Sequence, residues 1–296
     1  MGFNDGLNYS KLQMENKIIS YKAFYNDLTC FNYFQYEIGK TYTTTSDIKC
    51  CVHGFHACPE PAAVFNYYNI YSSRFAIVKQ SGIFDIYKDK ICSSKIKIIK
   101  ELSLKELIEH EISWIDKNFN SLNTSTLIED SAENVCNNTY ISVRSLEPAK
   151  ITTTKSSVSS QMCNADLRIM ANSTKVYSSG NSSKINLEGN YSKLFSLGHD
   201  SNIQVLGNCS QIISFGNNSI IYVLGTSTQI AITGTNCILY ILGKYCYIKV
   251  SLGTTIIYVN TNEKDKVKTL TRIVDGKDLK PNIEYVFLKE KFIACE

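Results

Sequence analysis

The stretch Cys50-Cys51-Val52-His53-Gly54-Phe55-His56-Ala57-Cys58 gathers three cysteines and two histidines within nine residues. Thiolate and imidazole are the donor set of zinc and other soft metals. Cys30, Cys50, Cys58 and His56 are the candidate ligands, with Cys92 further along the chain. The spacing fits no standard zinc module, because no clean Cys-x2-Cys pair is present. Free cysteine is among the most buried residue types, so structural thiols are the plainer expectation and no metal or other cofactor is expected. His56 is also the candidate general base, with Glu37, Tyr68 and Arg74 as partners if the fold brings them together. A histidine between Phe55 and Ala57 serves equally well as a half-buried hydrogen-bonding residue.

These residues must be positioned by the segment 16–120. Lys17–Phe24, Arg74–Lys79 and Lys95–Lys100 are rich in β-branched and aromatic residues and read as strands. Pro59 and Pro61 open a helix that runs through Ala62–Tyr68. Ser103 and Glu106 form a capping box ahead of Leu104, Leu107, Ile108, Ile112, Ile115 and Phe119 at helical spacing. The order implies a small α+β domain. Residues 1–15 are expected to be loosely ordered, and 121–150, rich in Asn, Ser and Thr, to be a connecting segment.

The rest of the chain is dominated by spacing. Gly180, Gly189, Gly198, Gly207, Gly216, Gly225, Gly234 and Gly243 recur every nine residues. With glycine at position 1, position 4 is small and polar (Ser201, Ser210, Ser219) and position 6 is aliphatic (Ile203, Ile212, Ile221). Ile220–Leu224, Ile238–Leu242 and Ile256–Asn260 recur at about 18 residues, which sets two strands per coil. The expectation is an all-β solenoid of about six coils over 151–260, with the Gly-Asn corner supplying a tight bend. Gly253 comes one residue late, and Thr255, Ile257 and Val259 are read as keeping positions 4, 6 and 8. Residues 261–296 are expected to cap the rod: a charged turn at Glu263–Lys266, then a β-hairpin from Leu270–Val274 and Ile283–Leu288 around Asp275-Gly276.

Stacking of like units predicts an outward apolar patch of Ile220, Tyr222, Leu224, Ile238, Tyr240, Leu242, Ile256 and Tyr258. Such a patch reads as an interface, through self-association into a homo-oligomer or through docking within the chain. Calcium-binding β-rolls also use nonapeptides but repeat an Asp, and this repeat holds only Asp166 and Asp200.

Composition removes several classes. Charged residues make up 20% and net charge is +4, too little for a nucleic-acid footprint, so no nucleic acid is expected as partner. Eleven cysteines in no regular framework argue against a secreted disulfide scaffold. The first residues hold no apolar run of a secretory signal, and no stretch is long and apolar enough for a membrane helix. A cytoplasmic location in a host cell is expected, and association with a virion is equally compatible.

The segments Tyr21-Lys22-Ala23-Phe24, Cys30, Phe34-Gln35-Tyr36-Glu37, Gly39-Lys40-Thr41-Tyr42, Gly54-Phe55-His56-Ala57-Cys58, Val64-Phe65-Asn66-Tyr67-Tyr68 and Cys92-Ser93-Ser94-Lys95-Ile96 form a recognisable pattern. It resembles an uncharacterised family of bacteriophage and bacterial proteins with an N-terminal domain of unknown function, often continuing into nonapeptide repeats. The resemblance implies a phage or prophage context and supplies no catalytic residue. Two readings of function follow. One is a non-enzymatic scaffold or interaction protein, with the solenoid as rigid surface for the α+β head. The other is a head that binds or modifies a small molecule of nucleotide or NAD type around His56.

Overall fold

The computed structural model describes residues 17–121, 125–129, 133–145, 147–261, 267–288 and 291–295. The segment 1–15 and the turn at Glu263–Lys266 fall outside the described residues. Two compact units divide the chain, Met1–Asn123 and Thr124–Glu296. No described helix is long and apolar enough to cross a membrane.

In the first unit, strands β1 (Lys17–Phe24), β2 (Thr41–Thr43), β3 (Phe55–Ala57), β4 (Arg74–Tyr87) and β5 (Lys90–Leu102) form an antiparallel sheet. Its order is β1-β4-β5-β2, with β3 also paired to β5. The β4–β5 hairpin extends well beyond the apolar segments that announce it. It carries register shifts at Ile77/Val78 and Ser81/Phe84, which bend and twist the pair. Just past β3, Cys58 exchanges backbone hydrogen bonds with Tyr21 of β1, at 2.7 and 2.8 Å. The segment 55–58 therefore ties β5 to β1 and curls the sheet.

Helix α1 (Leu104–Asn118) starts at the expected capping box: Ser103 accepts from the Glu106 N–H, and Glu106 accepts from the Ser103 N–H. Leu107, Ile108, Ile112 and Ile115 are its buried face. The proline-led segment is a 3-10 helix over Pro61–Asn66 rather than a helix reaching Tyr68. Its Ala62 N–H is taken by the buried Glu111 carboxylate at 2.8 Å.

The second unit is a β-solenoid of about 7 turns between residues 125 and 258. Strands alternate between two parallel ladders, one running from Ser125–Ile128 to Tyr247–Val250 and the other from Glu133–Asn137 to Thr255–Thr261. The ladders thus include Ser125–Ile128, Glu133–Asn137, Tyr140–Val143 and the start of Ala149–Thr154, within 121–150 where a connecting segment was expected. The early coils keep the inward alternation but not the period: Ser125 pairs with Tyr140, and Tyr140 with Ser157. Coils of unequal length, without the glycine, hide the repeat from a search at fixed spacing.

Glycine at position 1 is required by close approach rather than by a bend. A Cβ on Gly216 would lie 1.8 Å from the Gly198 carbonyl oxygen one coil below, and one on Gly234 1.9 Å from that of Gly216. The left-handed residue of each corner is position 3 instead, as in Asp200, Asn218 and Tyr245 with φ of 57°, 56° and 56°. Asparagines at position 2 build a ladder along the corners. The Asn190 side chain accepts from the Asn208 N–H at 2.8 Å, and Asn208 from the Thr226 N–H at 2.7 Å. His199 takes the same role through Nδ1, accepting from the Asn217 N–H at 3.0 Å.

The last coil corrects the register. Ile238 pairs with Thr255, a step of 17 residues, so the coil is one residue short and the strand itself slips. A slip by one residue exchanges the two faces of a strand. Ile256 and Tyr258, expected on the outward patch, are 0% and 6% exposed and belong to the solenoid core, while Thr254 takes position 4. Ile220, Tyr222, Leu224, Ile238, Tyr240 and Leu242 keep the outward side, with Ile257 next in the tyrosine row. Tyr222 and Tyr240 stack at 4.7 Å and 9°.

The cap is antiparallel but is not one hairpin. Val267–Ile273 pairs with Thr255–Thr261 in one ladder, whereas Glu284–Leu288 pairs with Tyr247–Val250 in the other and with Lys291–Ala294. The intervening chain crosses between the ladders, so both open edges are covered.

Candidate functional site

A cavity of about 640 Å³ opens in the first unit. Its walls come from β1, the segments 25–36 and 51–58, Val64 to Tyr68, and Lys90 at the start of β5. Alternation along β1 turns Ile18, Ser20, Lys22 and Phe24 to one side, and that side is buried. Lys22 is therefore carried inward, with only 8% of its surface exposed. Its Nζ donates to the His56 carbonyl oxygen at 2.9 Å and lies 5.1 Å from the Tyr36 ring centre and 5.6 Å from that of Phe24. Burial pushes its pKa below the ordinary lysine value. Among the described residues no carboxylate is paired with it, and none of the cavity-lining residues is acidic.

Aromatic rings make the rest of the wall. Tyr36 packs against Phe24, Phe34 and Tyr42 at centroid distances of 5.3, 4.7 and 5.1 Å. Phe31, Phe34 and Tyr67 are exposed. Lys90 Nζ stands 3.9 Å from the Tyr67 ring centre, while the Tyr67 hydroxyl hydrogen-bonds Asp89 behind the wall.

Two of the four acid–base candidates line this cavity and two do not. His56 and Tyr68 are on its wall. Glu37 pairs with Lys40 at the surface, and Arg74 makes a two-pronged ion pair with Glu101, both contacts 2.7 Å. The constellation of His56 with Glu37 and Arg74 is not assembled. His56 Nε2 accepts a hydrogen bond from the Cys51 N–H at 2.8 Å. Burial first, then the ammonium groups of Lys22 and Lys90, push His56 down to about 4, so the ring is neutral at pH 7. Burial likewise raises Tyr68 to about 12.

The four thiol and imidazole candidates also divide. Cys30 and Cys58 lie on the cavity wall, and burial raises the Cys58 thiol above its usual range. Cys50 and His56 come together with Cys92 instead, all three ligand atoms lying within 4.8 Å of one another. His56 and Cys92 are directly opposed in the β3–β5 pair. Cys50 is fixed by its backbone N–H, which donates to Asp85 at 2.7 Å.

Lys22, Lys90 and the grouping of Cys92 with Cys50 are what sequence reasoning missed. A signal existed for Lys22, a lysine in phase with Ile18, Ser20 and Phe24 on an otherwise inward strand face. For Cys92 the signal would have required the β3–β5 register, which spacing along the chain does not contain.

No curated protein and no solved structure matches the chain. The curled sheet, its cavity and the first two turns of helix α1 lie within residues 18–110, which match the family model of a domain of unknown function, DUF7666, and the repetitive β-solenoid follows it.

Proposed function

We propose that the DUF7666 region is a binding module for a small anion with a planar, aromatic part, of nucleotide type, and that the solenoid is the rigid scaffold that carries it. The observation that supports this most is the Lys22 ammonium, buried in an aromatic cavity whose lining residues include no acid. A cation removed from water without a counter-charge costs several kcal/mol. The Tyr36 and Phe24 rings offset part of that cost. A phosphate or carboxylate entering the cavity supplies the missing charge, and the exposed rings of Phe31, Phe34 and Tyr67 offer faces for stacking. The volume lies inside the ~300–1,000 Å³ range of small-molecule sites.

Binding is favoured over acid–base catalysis by the state of His56, whose ring is neutral at pH 7 and whose Nε2 lone pair is taken by the Cys51 N–H. The repeat favours a scaffold, because its inward residues are chiefly aliphatic side chains with Ser and Thr, joined by the buried Cys237, Cys246 and Tyr258.

A thermal-shift screen of the full chain against nucleoside phosphates, dinucleotides and aromatic carboxylates tests the reading. A ligand present at about 100 times its Kd adds about 2.7 kcal/mol to folding stability, a clear rise in Tm. Lys22→Met keeps the stem and removes the charge, and it should abolish that rise. A panel without effect, or an equal rise in the variant, overturns the proposal.

A further inference from the structure

Cys50, His56 and Cys92 raise a question separate from the cavity's ligand. Their donor atoms lie within 4.8 Å of one another. A tetrahedral zinc shell, with Zn–S of about 2.3 Å and Zn–N of about 2.0 Å, spaces its donors by roughly 3.5–3.8 Å. Closing the cluster onto one ion therefore takes movements of about 1 Å or less at each donor.

The three donors are held by separate constraints. Cys92 lies on β5, directly opposite His56 on β3. Gly54 leaves the space that the Cys92 sulfur fills, since a Cβ there would lie 2.5 Å from it. Cys50 is anchored through its N–H to the Asp85 carboxylate at 2.7 Å, and its thiol donates to the Asp85 carbonyl at 3.2 Å. Cys92 donates to the His53 carbonyl at 3.0 Å. Both sulfurs are thus directed and buried rather than loosely placed.

We propose that Cys50, His56 and Cys92 form a site for a thiophilic divalent cation, zinc by the character of its donors, with one tetrahedral position left to water or a ligand atom. Two thiolates and a neutral imidazole balance the charge of the ion, which suits a buried position. Binding deprotonates both thiols, and their protons go to solvent. The ion takes the Nε2 lone pair that now accepts from the Cys51 N–H. Cys30 and Cys58 take no part. His56 belongs to both the cluster and the cavity wall, so the ion would sit at the edge of the cavity.

The test uses Co²⁺ as a spectroscopic probe on the full chain, kept reduced by a phosphine. One equivalent should give sulfur-to-cobalt charge-transfer bands with intense tetrahedral d–d bands, and Zn²⁺ should displace it. Cys50→Ser and Cys92→Ser should each lose the charge-transfer bands or weaken binding at least 100-fold. His56→Ala should lower the d–d intensity, and Cys163→Ser with Cys209→Ser, at exposed positions, should change nothing. Circular dichroism verifies that each variant is folded. Should a serine at 92 unfold the chain, Cys50→Ser decides alone. Absence of thiolate bands in the folded wild type, or bands and cobalt affinity that are both unchanged in Cys50→Ser, overturns the site. Lys22→Met should leave cobalt binding intact, which separates this outcome from failure of the cavity reading.

Discussion

Gly54 and Cys92 occupy one space: a Cβ at position 54 would lie 2.5 Å from the Cys92 sulfur and 3.2 Å from the Ser93 carbonyl oxygen. Gly54 also has φ of +113°, which side chains rarely adopt. Gly54→Ala should therefore cost about 1–3 kcal/mol from backbone strain alone, and more from displacing the sulfur. Gly39 has φ of +87° with open space around its Cβ position, so Gly39→Ala carries the strain without the collision. Urea unfolding of the two variants should rank them in that order, and equal losses would show that the Cys92 contact carries no weight.

The slipped coil predicts an asymmetry between neighbours. Ile256 is fully buried in the solenoid core, whereas Ile257 continues the outward tyrosine row. Ile256→Ala should lose about 2–5 kcal/mol, the usual range for a buried isoleucine. Ile257→Ala should lose clearly less. Denaturation midpoints in the opposite order would restore the unslipped register.

Tyr222 and Tyr240 stack at 4.7 Å across adjacent coils. A double-mutant cycle with alanine at both positions should give a coupling of about 0.5–1.5 kcal/mol. A coupling near zero would mean that the rings share only an address on the surface.

The start of helix α1 carries a pH signature. The Lys100 hydrogen bond first, then the Ser103 N–H and hydroxyl, hold Glu106 at about 2, below the ordinary glutamate value of 4.5. A carboxylate with a lowered folded-state pKa stabilises the fold fully above its unfolded value. That contribution is lost as pH falls from about 4.5 toward 2. Carboxyl chemical shifts should give Glu106 a midpoint near 2, and Glu106→Gln should flatten the stability profile in that window. A midpoint near 4.5 would dissolve the capping box.

Local rules made some features legible and left others out of reach. The solenoid core from Gly180 onward is written in the nine-residue spacing, and α1 in Ser103, Glu106 and the leucine-isoleucine stripe. The reason for the glycines is not written there, because spacing cannot distinguish a bend at position 1 from the approach of the next coil's carbonyl. Nor could it follow a coil one residue short, where Gly253 was read as a slipped turn and the strand had moved with it. The candidate site was legible as a cluster in sequence, Cys50 to Cys58, but its chemistry depends on β1 and β5. Lys22 and Cys92 enter it through strand pairing over long separations, and pairing sent Arg74 to Glu101 instead.

The central claim is that Lys22 waits for an anion. It is tested most directly by untargeted mass spectrometry of small molecules released from the purified full chain, wild type beside Lys22→Met. An anionic compound with a planar ring system, recovered at about one per chain from the wild type and lost from the variant, is the predicted result. Equal recovery from both proteins contradicts the account, as does a wild type that carries no such anion and takes up none when the nucleotide panel is offered.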